Sequence, residues 1–261
     1  MKIVYGHTAP EVPHRGAREE PSAWQVERMA PRVSLLDIRP PTGDQGGIGS
    51  CCAEAVVGAV GLLGRRLGVL WECSPLALYF AVRRRFGRID DDTGCTLAQA
   101  LTVAQETGLY SLELWPTDTR NFAPSEVPED FEARSSLHRV INWGPLAHDL
   151  LTLRWSLYSG YPVLLGLIAG DAFESSTAWA TGDVETPSHL YARSGHAVLA
   201  LGYDDATARF SVLNSWGPSW GQLGVGTIPY HYVLNPALCT EIQTVRAVRS
   251  TLLEVEDEPR A

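Results

Sequence analysis

Apolar residues fall on nearly every side of the stretch Cys52–Arg66, which predicts a helix buried through most of its length. Gly58, Gly61 and Gly64 recur along it every third residue and mark a thin stripe open to close approach by another backbone. A second helix is predicted over Leu76–Arg84, where Ser74 supplies an N-cap, Pro75 a first-turn proline, and the arginines a basic end that suits the C-terminal dipole. Thr96 opens a third over Leu97–Thr107, stopped at Gly108. Residues 145–158 keep helical spacing and end at Gly160.

After that the period changes. Residues 162–168, 196–203, 209–214 and 224–230 are short apolar runs punctuated by Gly, Asp and Pro, the pattern of antiparallel strands, and Val33–Arg39 alternates loosely as a shorter one. Helices early and strands late predict an α+β architecture of two lobes with a cleft between them. The boundaries expected are an extended strap over residues 1–34, which carries four prolines, a mainly helical lobe over 35–120, a mainly β lobe over 121–253, and a solvated acidic tail over 254–261. Residues 116–144, rich in proline and charge, read as a connection between lobes.

The polar, glycine-rich run Asp44-Gln-Gly-Gly-Ile-Gly-Ser50 leads straight into the buried helix and leaves Cys51 at its mouth. A thiol is nucleophilic as thiolate, and unpaired N–H groups at a helix N-terminus favour that form. A thiolate that attacks acyl groups also needs a base, an orienter for the base and donors for the oxyanion. His196 heads an apolar strand, Asn214 ends the next one, and Gln45 stands six residues before Cys51. The separation of 145 residues between Cys51 and His196 (196 − 51) makes their pairing a matter of tertiary structure.

These blocks resemble the papain-like cysteine peptidases, in particular bacterial members without a long propeptide. Gln45–Ala53 is similar to the family's Gln-Gly-x-x-Gly-Ser-Cys block, Gly195-His196-Ala197-Val198 to its His-Ala-Val strand, and Asn214-Ser215-Trp216-Gly217 with Trp220-Gly221 to its Asn-Ser-Trp-Gly-x-x-Trp-Gly block. Weaker similarity extends the match over residues 35–235. The resemblance implies a papain-like two-lobe fold with a helical N-terminal lobe, an antiparallel β-barrel-like C-terminal lobe and the active site between them. It implies Cys51 as nucleophile, His196 as base and acid, Asn214 as orienter and Gln45 as oxyanion donor, with Trp216 shielding the His196–Asn214 contact and Trp220 supporting it. Thr93, Gly94 and Cys95, with Gly195, stand where the family meets its substrate's backbone, although the run Asp90–Cys95 reads equally well as an acidic turn before a helix. Ile48, Cys52 and Gly195 depart from common family residues at their positions.

Composition narrows the class further. Net charge is −9, which argues against nucleic acid and anionic membranes as partners and leaves a peptide or protein substrate. No stretch reaches the roughly 20 apolar residues that span a bilayer, and no signal-peptide core opens the chain, so a cytoplasmic protein is expected. Its five cysteines are odd in number and lack a CxxC pair, which reads as free thiols. His7, His14, His138, His148, His189 and His231 fall in no ligand-like spacing, so neither metal nor cofactor is expected. Cys52 points about 100° round the helix from Cys51 and is read as a core residue, as are Cys73 and Cys239. Two rival functions share this pattern: an acyltransferase or transglutaminase-like enzyme that passes the acyl group to an amine, and an inactive scaffold that binds peptides.

Overall fold

A computed structural model describes residue 7 and residues 21–87, 89–116, 122, 127–135, 138–190 and 195–250. The expected acidic tail and most of the expected strap lie outside the described residues. In chain order the elements are α1 (Ala23–Arg28), β1 (Arg32–Ser34), α2 (Cys51–Arg66), α3 (Pro75–Phe86), α4 (Leu97–Glu106), α5 (Phe131–Ser135), β2 (His138–Pro145), α6 (Leu150–Tyr158), β3 (Val163–Ile168), α7 (Ser176–Thr181), β4 (Gly195–Asp204), β5 (Arg209–Leu213), β6 (Val225–Pro229), α8 (Tyr230–Val233) and β7 (Cys239–Ser250).

The three early helices form where their caps predict. Ser74 Oγ accepts from Ala77 N at 3.1 Å at the start of α3, and Thr96 Oγ1 from Gln99 N at 3.0 Å at the start of α4. Two elements differ from expectation at the N-terminal side of a helix. Residues 23–28, inside the expected extended strap, are helical, with Gln25 Oε1 folded back onto the Ser22 N–H at 2.8 Å. The helix expected over 145–158 begins only at Leu150, because Asp149 caps it by accepting from Thr152 N at 2.9 Å.

The described strands make one antiparallel sheet of order β2-β7-β3-β4-β5-β6, with β1 paired to β4. Its side chains alternate between two cores, one on each face. Ala197, Leu199 and Leu201 of β4 face a cluster built with α2, α3 and α4, while Val198, Ala200 and Tyr203 face a second built with Leu153, Phe173 and the tryptophans 216 and 220. The long helix α2 lies against β4, where a Cβ on Gly58 would sit 3.2 Å from Leu199 Cδ2. The rest of the glycine stripe receives Pro40 at Gly61, and Trp71 with the backbone oxygen of Val69 at Gly64.

The sheet is open, where the sequence implied a barrel-like closure. Its edges are covered instead of joined. At β6, Val184 N donates to Thr227 O at 3.0 Å; at β2, Leu109 N donates to His138 O at 2.8 Å. The polar segment read as a connection contains β2, and β7 beside it is the longest strand in the sheet. Glu241 explains why so polar a strand is buried. Its carboxylate accepts from Leu97 N at 2.9 Å and Ala98 N at 2.7 Å, satisfying the first turn of α4 from across the fold, and Gln243 Nε2 donates to it at 3.1 Å.

Glu241→Ala orphans two buried N–H groups and should cost about 2–4 kcal/mol of stability. A urea unfolding midpoint that stays within error of the parent would refute that account of β7.

Candidate active site

Gln45, Cys51, His196 and Asn214 are brought together, and all four are buried. The nucleophile loop is held from two directions. From the sheet side, Gln45 N donates to Ser215 O at 2.9 Å, Ser215 Oγ donates to Gln45 Oε1 at 2.6 Å, and Gln45 Nε2 donates to Ile48 O at 2.8 Å. From the helical side, the Asp92 carboxylate accepts from Gly49 N at 3.1 Å and from Tyr79 Oη at 2.6 Å. Gly46, at φ 55°, takes the left-handed turn between these anchors. Part of the acidic turn is therefore structural: Asp92 fixes the backbone two residues before Cys51.

His196 is positioned by its neighbours on β5 and beyond. Its Nε2 lies 2.7 Å from Asn214 Oδ1, an oxygen that also accepts from Ser215 N at 2.8 Å, so the amide cannot swing away from the ring. Trp216 lies over the imidazole at a centroid distance of 4.9 Å, and Phe173 meets it edge-on at 5.3 Å. Trp220 stacks on Phe173 and donates its Nε1–H to Phe173 O at 3.1 Å. The tryptophans thus form an apolar wall on one side of the His196–Asn214 contact.

The imidazole also meets the Cys51 thiol. Burial pushes that thiol up, but hydrogen bonds from Cys52 and His196, with the charges of His196 and His7, outweigh it and hold Cys51 well below the ordinary thiol range. Cys73 behaves in the opposite way, pushed up to about 12 by burial alone, and burial likewise raises Cys52 and Cys239. The five thiols are buried and free, and their chemistry separates by environment.

Two residues beside the thiol carried no role in the sequence reading. Cys52, read as pointing away into the core, contacts Cys51 and lies 3.1 Å from Cys95 O. The turn of the helix does separate the two side chains, but the packing of Cys95 and His7 around the helix mouth brings both sulfurs into one cluster. His7 belongs to that cluster too. Its Nδ1 is 3.6 Å from Cys52 Sγ and 3.8 Å from Glu241 Oε2, its Nε2 is 3.1 Å from Thr240 Oγ1, and its N–H donates to Gly195 O at 3.0 Å. Burial lowers its pKa against the opposing pull of Glu241 and Cys51. A lone histidine in a proline-rich stretch offers no periodicity by which to find it.

The expected substrate-contact residues divide. Cys95 pairs with His7 in an isolated parallel bridge, and Gly195 accepts from the His7 backbone, so this pair flanks one extended residue on two sides. Gly94 is turned inward: its N–H donates to Tyr79 Oη at 3.0 Å and its carbonyl accepts from Arg83 Nη1 at 2.8 Å. Thr93 is exposed. Among the described residues no group of three His, Cys, Asp or Glu is placed to hold a metal ion, and no helix is long and apolar enough to cross a membrane.

No family model matches the chain. A peptidase C1-like protein of Acanthamoeba polyphaga mimivirus is 27% identical over 220 residues, covering 80% of this chain and 71% of that protein. Cathepsin K of Gallus gallus is 28% identical over 239 residues, covering 85% and 66%. Xylellain, a cysteine protease from Xylella fastidiosa, superposes with a TM-score of 0.80 at 24% identity over 94% of this chain and 96% of that one. In fold, the chain is papain-like. Digestive procathepsin L2 of the Tenebrio molitor larval midgut superposes with a TM-score of 0.71 at 22% identity, covering 92% of this chain and 78% of that one. The papain-like relatives are cysteine peptidases, hydrolases by class.

Iodoacetamide at pH 6 should label the native papain-like chain once, at Cys51, leaving Cys52, Cys73 and Cys239 unmodified. His196→Ala should move the midpoint of the pH–rate curve for labelling upward and slow the reaction at pH 6 by at least about tenfold. Peptide mapping that finds several thiols labelled at equal rates would contradict the geometry.

Proposed function

We propose that the protein is a peptidase that cleaves peptide bonds through a Cys51 thiolate and a His196 imidazolium, with Asn214 orienting the ring and Gln45 in the oxyanion hole. The observation that carries this reading is the run of contacts from the Cys51 thiol through His196 to Asn214 Oδ1, 2.7 Å from the ring, ending on a thiol held well below its ordinary range.

The chemistry follows from the atoms present. The thiolate attacks the substrate carbonyl carbon and forms a C–S bond, while the carbonyl electrons move onto oxygen. The Cys51 backbone N–H at the helix mouth and the Gln45 side-chain amide are the donors assigned to that oxyanion. His196 delivers its proton to the departing amine as the C–N bond breaks, leaving a thioester. Neutral His196 then takes a proton from water, which attacks the thioester carbonyl; the acid product leaves and Cys51 returns as thiolate. Asn214 accepts from the ring throughout, and Trp216 keeps water from that bond. An acyltransferase would run the same first half and replace water by an amine.

Cys51→Ala should abolish hydrolysis of fluorogenic peptides, and Gln45→Ala should lower kcat by about a hundredfold with little change in KM. Tight peptide binding without turnover in the parent, unchanged in Cys51→Ala, would favour a binding scaffold. Because catalysis uses the thiolate, the acid limb of kcat/KM should fall below the range of an ordinary thiol, and the limb should rise in His196-proximal variants that weaken the pair, such as Asn214→Ala.

A further inference from the structure

The turn before α4 reaches the nucleophile loop through the side chain of Asp92. Its two carboxylate oxygens each accept from the Gly49 N–H at 3.1 Å, and Oδ1 also accepts from Tyr79 Oη at 2.6 Å. That hydroxyl in turn accepts from Gly94 N at 3.0 Å, so Tyr79 holds the turn at two points. Arg83, one turn along α3 from Tyr79, adds two more: its Nε donates to Asp91 O at 3.0 Å and its Nη1 to Gly94 O at 2.8 Å. Tyr79 is buried, and burial together with the neighbouring Asp92 pushes its hydroxyl above the ordinary range, which keeps it a donor.

Two features make this more than the closing of a turn. The first is that the entry to α2 lacks its usual clasp. Ser50 stands at the N-cap, yet its Oγ is buried without a partner and bonds to no N–H of the helix. The side chain that fixes the loop there is instead Asp92, acting one residue earlier on Gly49. The second is that the edge held by Tyr79 is one an extended chain already uses: Cys95, next to Gly94, pairs with His7 in a parallel bridge. The Tyr79–Asp92 pair therefore fixes both the loop that ends in Cys51 and an edge on which an extended chain lies, with one hydroxyl shared between them.

We propose that Asp92 and Tyr79 are positioning residues for acyl transfer at Cys51: Asp92, through Gly49, sets the direction of the Cys51 N–H toward the developing oxyanion, and Tyr79, through Gly94, sets the edge that receives the peptide. The inference rests on the peptidase reading above. Both side chains act through the backbone and not on the reacting atoms. Because the carbonyl oxygen gains its charge only in the transition state, a loop that drifts weakens that state more than it weakens the bound substrate. Loss of Asp92 therefore acts on kcat. Loss of the Tyr79 hydroxyl also orphans Gly94 N, loosens the edge at Cys95, and acts on kcat and KM together.

The test compares full-length Asp92→Ala, Asp92→Asn and Tyr79→Phe with the parent. Asp92→Ala should lower kcat for a fluorogenic peptide by about tenfold or more, with KM within about twofold. Asp92→Asn keeps an oxygen for Gly49 N and should recover most of the loss. Tyr79→Phe keeps the ring against Phe122, centroids 5.0 Å apart, and should lower kcat and raise KM by about threefold or more each. Alkylation separates positioning from general loosening. Iodoacetamide forms no oxyanion, and the groups that lower the thiol are Cys52, His196 and His7, so its rate at Cys51 should stay within about twofold of the parent's in each variant. Amide exchange supplies a readout that needs no turnover: the Gly49 N–H should exchange about tenfold faster or more in Asp92→Ala while the amides of β4 keep their rates. A parent without activity would sink the peptidase reading by itself, and the exchange rates would then decide whether Asp92 holds the loop. Alkylation that falls in step with hydrolysis in Asp92→Ala, a kcat there within about twofold of an active parent's, or an unchanged Gly49 exchange rate would each overturn the proposal.

Discussion

The contact on which the rest of the site depends is the hydroxyl of Ser215 donating to the side-chain oxygen of Gln45, 170 residues earlier in the chain. Ser215 carries Asn214 with it, and Asn214 holds His196; Gln45 carries the loop that ends in Cys51. One buried pair of polar side chains therefore sets the distance between the imidazole and the thiol. Because both partners are buried, neither can exchange this bond for one to water without opening the fold, and the cost of leaving one unpaired is what makes the register definite. A second anchor works at right angles to the first, where Asp92 holds Gly49 from the helical side. The thiol sits between them.

Such a site stores a buried anion, and the surroundings show how that is tolerated. Burial acts first and unfavourably on Cys51; neighbouring donors and imidazoles then reverse it. The same burial without those partners drives Cys73 and Cys239 the other way, so sequence identity at a cysteine says little about reactivity compared with the company it keeps. His7 adds to that company from the far N-terminal part of the chain, and Glu241, which it approaches, is already committed to the first turn of α4. The thiol–imidazole cluster and the packing of the helical side are in this way linked through one carboxylate.

What could be read from the chain follows from how local each signal is. The helices α2, α3 and α4 announce themselves by caps and apolar periodicity within a dozen residues, and β3 to β6 by apolar runs between turn residues. That Gln45, Cys51, His196 and Asn214 come together in space was legible because each sits in a block whose residues serve one another. The strand β7 was not, since Glu241, Gln243 and Thr244 are polar residues buried for partners on α4, α6 and the chain before β3, a reason invisible from β7 itself. Cys52 is the core residue it was read as, but its place beside Cys51, like that of His7, was not legible for a related reason: a side chain's direction on its own helix, or its isolation in a polar stretch, does not reveal which distant element arrives beside it. The open sheet has the same origin, as segments around residues 109 and 184 cover the two edges that a barrel would have joined.

Cys51 and Glu54 pose one further constraint. They lie one turn apart on the same helix, and a thiolate at the first position makes ionisation of the second more costly, as it does in reverse. The helix N-terminus favours whichever anion is nearer its unpaired N–H groups, and that is the sulfur. Desolvation accordingly raises Glu54 to about 8, and the charges of Asp44 and Cys51 add to it in the same direction.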